Sequence, residues 1–256
     1  MGNIMESFSL KGKKAVVTGG ARGIGGAAAV ALAEAGADVA VFDLIDGSNT
    51  VKAIQALGQK SFMLQVDVTV EDQVNEAFIT LKEKFGCIDI VFSNAGIAHC
   101  EKCENMTFEE WRNVISIDLD SMFLVNRAAA RIMIADKNGG SIINTASMSG
   151  MVVNYPQEQV AYNAAKAGVI QLTRSLACEW AKYNIRVNSI SPGYICTDMT
   201  PATSNKAWMD IWFAMGPSKR LGTVDEITGA VLYFASSAST FTTGANLVID
   251  GGYTCQ

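Results

Sequence analysis

The sequence contains no run of lysine and arginine, no long apolar stretch and no signal-peptide core. A chain with a net charge of −5 and no basic run is not expected to bind nucleic acid. No apolar stretch reaches the roughly 18 residues that a membrane-spanning helix needs, and the opening MGNIMESFSLKGKK lacks the apolar core of a secretory signal. We therefore expect a cytoplasmic protein with a small-molecule substrate and neither a nucleic-acid nor a membrane partner.

Histidine is almost absent, which restricts metal binding. His99 is the only histidine, and it stands near Cys100 and Cys103 in the segment HCEKC. A structural zinc ion needs a second pair of ligands, so this segment is at most half a site. We interpret the six cysteines as reduced thiols, because a cytosolic chain of this size needs no disulfides, and we predict no metal.

Charged residues are scarce for a protein of this length. They make up 18% of the 256 residues, whereas apolar residues make up 49%, and the mean hydropathy is +0.20. The length fits one α/β domain that spans residues 1–256. The apolar excess suggests surface that is hidden between the subunits of an oligomer.

Short apolar runs alternate with helical segments along the chain. The predicted strands are Ala15–Thr18, Ala37–Asp43, Phe62–Val68, Ile88–Ser93, Gly140–Ala146, Ile185–Ile190 and Asn246–Ile249. The predicted helices are Gly23–Gly36, Gly47–Leu57, Glu71–Phe85, Thr107 to about Ala135, Ala161–Tyr183 and Val224–Ser236. Continuous apolar strands with helical crossovers predict an α/β fold, a doubly wound parallel sheet of seven strands with helices on both faces. Ligands bind such sheets beyond the carboxyl ends of the strands.

A glycine-rich turn separates the first predicted strand from the first helix. Gly19, Gly23 and Gly25 are spaced G-x-x-x-G-x-G, which differs from the general G-x-G-x-x-G fingerprint. Glycines at this place let the backbone approach a pyrophosphate, and the helix N-terminus offers free N–H groups. A plain turn is the alternative, because glycine is common in turns. The strand–turn–helix context favours a dinucleotide site.

Asp43 ends the second predicted strand and bears on the choice of nucleotide. A carboxylate there accepts hydrogen bonds from the adenosine ribose and repels a 2′-phosphate. Leu44 and Ile45 follow it without a positive charge. Arg22 in the glycine turn is the opposing signal, because a guanidinium can bind a phosphate. We predict NAD rather than NADP.

Tyr162 and Lys166 are four residues apart on one predicted helix, so they share a face. A cation beside a phenol favours the phenolate and lowers its pKa toward the working range of a general base. Ser147 follows a predicted strand and could hydrogen-bond a substrate oxygen. Alone, Y-x-x-x-K is as typical of an exposed helix pair as of catalysis. Its position after the glycine turn and the SNAG segment (93–96) favours proton transfer coupled to nicotinamide chemistry.

From Leu10 to Tyr253 the sequence resembles the short-chain dehydrogenase/reductase family. The resemblance rests on TGGARGIG (18–25), DV (67–68), SNAG (93–96), Ser147, YNAAK (162–166), RVNSISPGYICT (186–197) and IDGGY (249–253). It implies that Ser147, Tyr162 and Lys166 are catalytic, that Pro192–Thr197 holds the nicotinamide carboxamide, and that the protein is a tetramer. The predicted cofactor contacts are Gly19, Arg22, Gly23, Ile24, Gly25, Asp43, Asp67, Val68, Asn94, Gly96, Tyr162, Lys166, Pro192, Gly193, Ile195 and Thr197.

One position departs from the family pattern. The family usually places a catalytic asparagine where this sequence has Asp118, within VISIDLDSMFL. An aspartate could accept a hydrogen bond from the same water. Its charge would lie near Lys166 and oppose the lowering of the Tyr162 pKa. We expect an active enzyme in which Asp118 takes part in catalysis and shifts the pH optimum to alkaline values.

Substrate choice is expected in three loops, at 97–106, 148–161 and about 198–222. The predicted substrate contacts are Ser149, Asn154, Gln159 and Tyr194. The stretches NYPQEQ and ASTFTTGANLVIDGGYT resemble the polyol branch of the family, which implies reversible oxidation of a sugar alcohol to a ketose. Trp208 and Trp212 in the third loop would equally suit a steroid or an acyl substrate, so a hydroxysteroid dehydrogenase or 3-oxoacyl reductase is the alternative. A regulator that binds the dinucleotide without catalysis is a third reading.

Overall fold

Seven parallel strands form one sheet in a computed structural model that describes residues 3–197, 200 and 206–255. The strands are β1 (Lys14–Thr18), β2 (Asp38–Asp43), β3 (Ser61–Gln65), β4 (Ile90–Ser93), β5 (Gly140–Thr145), β6 (Ile185–Pro192) and β7 (Asn246–Ile249). Their order across the sheet is β3-β2-β1-β4-β5-β6-β7. The chain reverses its direction of progress between β1 and β4, and the crevice at such a reversal is the usual ligand site.

Helices cover both faces of the sheet. They are α1 (Gly23–Glu34), α2 (Ser48–Ala56), α3 (Glu71–Phe85), α4 (Phe108–Ile115), α5 (Ser121–Asp136), α6 (Val160–Trp180), α7 (Lys206–Met215) and α8 (Asp225–Ala235). Side chains alternate along each strand, so β1 sends Val16 to one face and Ala15 and Val17 to the other. Val16 packs in the core with α3, α5 and α6, whereas Ala15 and Val17 pack with α1, α2 and α8. The predicted fold class is confirmed.

Most predicted element ends agree with the structure within two residues, but the third strand was predicted too long. β3 ends at Gln65, so Asp67 lies beyond the strand rather than at its end. The Asp67 carboxylate accepts hydrogen bonds from the backbone N–H of Thr69 at 2.9 Å and from its hydroxyl at 2.6 Å. Such a side-chain turn competes with the strand ladder and ends it.

The long helical segment predicted from Thr107 consists of α4 and α5, joined by an irregular turn. Thr107 and Glu110 form a reciprocal capping box at the start of α4. A π-helical turn at Ser116–Asp120 joins α4 to α5, and such turns are frequent at functional sites. In the third loop, residues 198, 199 and 201–205 lie outside the described residues, and α7 follows them. Within the described residues no helix is both long and apolar enough to cross a membrane.

Candidate active site

A cleft of about 920 Å³ runs along the carboxyl ends of the strands. The glycine turn, the end of β2 and the first turns of α6 all line it. With one exception, Gly25, every residue predicted to contact cofactor or substrate lines this cleft. Residues from seven separate chain segments therefore meet where the parallel sheet places its ligand site.

The glycine turn folds tightly over the end of β1. Gly19 and Gly23 have φ angles of +63° and +58°, a region that residues with a side chain rarely adopt. Gly25 does not line the cleft, because it is buried beneath the turn: a Cβ there would lie 2.1 Å from the Gly19 carbonyl oxygen. Arg22 precedes α1 without capping it through its side chain. The turn thus fits a pyrophosphate, with bare backbone at the surface and a helix N-terminus behind it.

Asp43 lines the cleft and also braces the glycine turn. Its Oδ2 accepts a hydrogen bond from the Ala21 N–H at 2.9 Å, and its Oδ1 accepts one from the Ile45 N–H at 3.2 Å. Leu44 and Ile45 are exposed beside it. The bracing contact was missed at the sequence level, since nothing in the pattern says that the end of β2 reaches the turn after β1.

Asn94 and Gly96 follow β4 and support the turn from the other side. The Asn94 amide donates to the Gly19 carbonyl at 3.3 Å, and its Oδ1 accepts from the Thr145 hydroxyl at 3.1 Å. A Cβ on Gly96 would lie 2.6 Å from Asp118 Oδ1. Glycine is therefore needed at position 96 to let the loop pass over the buried carboxylate.

Ser147, Tyr162 and Lys166 all line the cleft. The Lys166 Nζ lies 5.5 Å from the centroid of the Tyr162 ring, and the interaction of the Ser147 hydroxyl with Tyr162 acts to lower the pKa of that phenol. Ser147 Oγ also accepts a hydrogen bond from the Ser149 N–H at 3.1 Å, which fixes its position. A serine that follows β5 and a tyrosine–lysine pair on α6 thus form the constellation that proton transfer to a carbonyl or from an alcohol requires.

Asp118 lies within the π-helical turn and points at Lys166. Its side chain is 0% exposed, and Asp118 Oδ1 lies 3.0 Å from Lys166 Nζ. The Ile97 N–H donates to Asp118 Oδ2 at 3.3 Å, and Lys166 also donates to the Thr145 carbonyl at 3.0 Å. Asp118 lines the cleft from within this π turn. No sequence pattern indicated the π turn itself.

These contacts set the protonation of the pair on α6. Burial raises the pKa of Tyr162; Lys166 opposes that effect, Asp118 adds to it, and the Ser147 hydrogen bond opposes it. Burial works to lower the pKa of Lys166, but the charges of Asp118 and Tyr162 outweigh it and the pKa is raised. The net direction for Tyr162 is opposite to the lowering expected from Lys166 alone, because burial and Asp118 act on the same phenol.

A polar wall of Asn154, Gln157 and Tyr194 also lines the cleft. The Tyr194 hydroxyl accepts from the Asn154 amide at 3.2 Å and from the Gln157 amide at 3.0 Å. The Trp212 N–H donates to Gln157 Oε1 at 3.0 Å, and its ring stacks on that of Tyr194 with centroids 3.9 Å apart. Residues predicted as free polar contacts for a substrate thus bond largely to one another, and they tie α7 to the loop before α6.

Known proteins resemble this chain over almost its full length. The family model described as enoyl-(acyl carrier protein) reductase matches residues 19–254. A sorbose reductase of Candida albicans is 41% identical, with 99% of this chain and 91% of that protein covered. An NADP-dependent mannitol dehydrogenase of Hypocrea jecorina is also 41% identical, with 99% and 96% covered. A crystal structure of a short-chain type dehydrogenase/reductase from Mycobacterium marinum is 40% identical, covers 100% of both chains and gives a TM-score of 0.94. The resemblance predicted from the motifs is confirmed, and the chain belongs to the short-chain dehydrogenase/reductase family of nicotinamide-dependent oxidoreductases.

Proposed function

We propose that this protein reversibly oxidises a sugar alcohol to a ketose with NAD as its cofactor. The observation that carries the proposal is the convergence of Ser147, Tyr162 and Lys166 in a cleft that continues to the glycine turn. The nicotinamide, when bound, takes up or gives back the hydride. The residues of the chain position the alcohol, move its proton and exclude water.

Each catalytic side chain has a distinct role in the proposal. Ser147 hydrogen-bonds the substrate oxygen, and Tyr162 takes the hydroxyl proton during oxidation and returns it during reduction. Lys166 remains an ammonium, because Asp118 raises its pKa, and it stabilises the phenolate. Asp118 forms an ion pair with Lys166 at 3.0 Å and so fixes the position of the ammonium group.

A polar wall and related enzymes support the substrate class. Asn154, Gln157 and Gln159 are each at least 92% buried yet line the cleft, and such amides suit a ligand whose hydroxyls each need a partner. The relatives named a sorbose reductase and a mannitol dehydrogenase are consistent with a polyol or a ketose. The aromatic rings of Tyr194 and Trp212 add apolar surface for the carbon chain of such a ligand.

The preference for NAD rests on Asp43. Its carboxylate lines the cleft, as does Arg22, and the exposed Leu44 and Ile45 that follow it add no positive charge, so a 2′-phosphate would meet the negative charge of Asp43. Since one relative is named as NADP-dependent, the matched variants Asp43→Asn and Asp43→Ser test the point. Both should raise the kcat/KM ratio of NADPH to NADH by tenfold or more on Coulombic grounds. Asp43→Asn keeps an acceptor for the Ala21 N–H, so an unchanged ratio there would exclude charge as the cause.

We also propose a homotetramer in the cytoplasm. Support for assembly comes from apolar side chains left at the surface, including Phe108 at 77% exposure and Phe241 at full exposure. Support for the compartment comes from the six cysteines, all of which are free. Light scattering of the purified protein and fractionation of the source cells test these two points separately.

One experiment tests the proposed function directly. Purified protein is assayed with hexitols and pentitols in the presence of NAD⁺ or NADP⁺, and with ketoses in the presence of NADH or NADPH. Absorbance of the reduced nicotinamide reports turnover in both directions. Tyr162→Phe should lower kcat by about a hundredfold or more while NADH binding is retained. Turnover of steroid alcohols or 3-oxoacyl thioesters, with none of polyols or ketoses, would favour the alternative enzymes. No turnover of any of these would favour the regulator.

A further inference from the structure

Two glutamines in the loop before α6 use their amides in opposite ways. Both ends of the Gln157 amide form hydrogen bonds within the protein. Its nitrogen donates to the Tyr194 hydroxyl at 3.0 Å, and its oxygen accepts from the Trp212 N–H at 3.0 Å. The amide of Gln157 therefore fixes the wall of the cleft, and its oxygen already has a strong N–H donor. Its neighbour two residues later is arranged differently.

Gln159 lines the cleft, and the two ends of its amide have unequal partners. Three acceptors surround the nitrogen: Ser149 Oγ at 3.2 Å, Asn154 Oδ1 at 3.1 Å and Asn163 Oδ1 at 3.0 Å. This set fixes the amide orientation, because an oxygen in that place would face the amide oxygens of Asn154 and Asn163. For the Gln159 oxygen, the only donor among the described residues is the Cys100 thiol at 4.0 Å, which is a weak donor. A 93% buried side chain thus keeps a strong acceptor without a strong partner.

The position of Gln159 is rigid and close to the reacting groups. It immediately precedes α6, and its carbonyl accepts the Asn163 N–H at 3.0 Å. Its backbone also pairs with Glu101 of the opposite loop. Tyr162 lies three residues further on, and both residues line the same cleft. The Gln159 acceptor and the phenol therefore border the same ligand space.

We propose that the Gln159 carbonyl oxygen accepts a hydrogen bond from a substrate hydroxyl on a carbon next to the one that reacts. This inference rests on the proposed function and narrows it to polyols and ketoses that carry a hydroxyl beside the reacting carbon. A hydroxyl supplies the missing donor, whereas a methylene or an ether oxygen leaves the buried acceptor unpaired. A site built for a hydroxyl discriminates strongly against an analogue that lacks it.

The wild-type protein alone can refute the proposal. The best ketose of the panel is compared with its deoxy and O-methyl analogues at each carbon that flanks the carbonyl. We expect both analogues at one of these carbons to lose at least about tenfold in kcat/KM, as for one buried hydrogen bond. Equal kcat/KM for the parent and all analogues would overturn the assignment while leaving the proposed function intact. A wild-type protein without activity on any polyol or ketose would instead overturn the proposed function itself.

Paired variants then assign the effect to one amide. Gln159→Met removes the acceptor at similar length, so the parent ketose should fall about tenfold, mainly through KM, and the deoxy analogue should hardly change. Gln157→Met makes the same substitution in the wall, so parent and analogue should fall by a common factor and their ratio should persist. A Gln159→Met enzyme that keeps the wild-type ratio would overturn the proposal. If that variant does not fold, the wild-type comparison still decides.

Discussion

The buried ion pair beneath Tyr162 gives the sharpest test of the site. Asp118→Asn removes one negative charge while keeping the size and the oxygen acceptor of the side chain. At 3.0 Å, two unit charges attract by about 5.5 kcal/mol at an effective dielectric constant of 20. Much of that attraction offsets the cost of burying both charges, and an asparagine keeps an oxygen beside Lys166. We expect a net loss of about 2 kcal/mol in unfolding free energy, or roughly 4–8 °C in Tm for a chain of this size.

The effect on catalysis has a definite sign. Asp118 is one cause of the raised pKa of Tyr162, after burial and against Lys166, so its neutral replacement lowers that pKa. Oxidation needs Tyr162 as a base, and the acid limb of its pH–rate profile should therefore move to lower pH. Each unit of movement multiplies the rate about tenfold on the acid side of the limb. The kcat/KM profile for polyol oxidation reports this limb in the free enzyme.

The control is Asp120→Asn, which makes the same charge change two residues away at an exposed position. It should move neither the profile nor the Tm. Burial raises the pKa of Asp118 itself, against the effect of Lys166. A protonated, neutral Asp118 is therefore the physical alternative to the charged one. If the Asp118→Asn profile stays within about 0.3 unit of the wild type, or about 0.4 kcal/mol, the carboxyl carries no charge that acts on Tyr162.

Three further predictions concern the frame of the site. Gly25→Ala should weaken NADH binding and lower the unfolding free energy by about 1–3 kcal/mol, because its Cβ would lie 2.1 Å from the Gly19 carbonyl oxygen. A variant with the NADH affinity and Tm of the wild type would contradict this. Asn126→Leu should destabilise by about 2–4 kcal/mol in urea, since it leaves two buried partners without the hydrogen bonds of 2.8 Å that they now share; a loss below 1 kcal/mol would show that the core relaxes. Folding raises the pKa of Tyr162 and Lys166 above 10.0 and 10.5, so their contribution to stability is complete below pH 10 and is lost as pH rises further. Tyr162→Phe should flatten that alkaline fall in urea denaturation; an identical slope would contradict the sign.

The sequence predicts the fold and the location of the site well because those features follow local rules. Apolar runs with helical crossovers specify a parallel sheet, and such a sheet places its ligand at the carboxyl edge. The glycine turn and the Tyr162–Lys166 spacing each fall on one short segment, so a pattern within that segment predicts them. Asp43 was found in the same way, as the polar residue that ends an apolar strand.

What the sequence does not predict is how side chains from different segments meet. Asn126 and Asn144 interrupt apolar segments, which was the available signal, but their hydrogen bonds run from Ser93 on β4 through α5 and β5 to Thr173 on α6. This series of hydrogen bonds depends on the register between neighbouring strands and helices. No periodicity within one segment encodes it.

The two glutamines show the same limit at the scale of function. In the sequence, Gln157 and Gln159 are two similar polar residues in NYPQEQ. Alternation alone would place them on the same side of an extended chain, yet one amide fixes Tyr194 and Trp212 and the other keeps an open acceptor. The difference comes from the partners that β6, α7 and α6 bring to each amide, not from the residue type. Which hydrogen-bonding groups the fold leaves for a ligand can therefore be determined only once every neighbouring group has been placed.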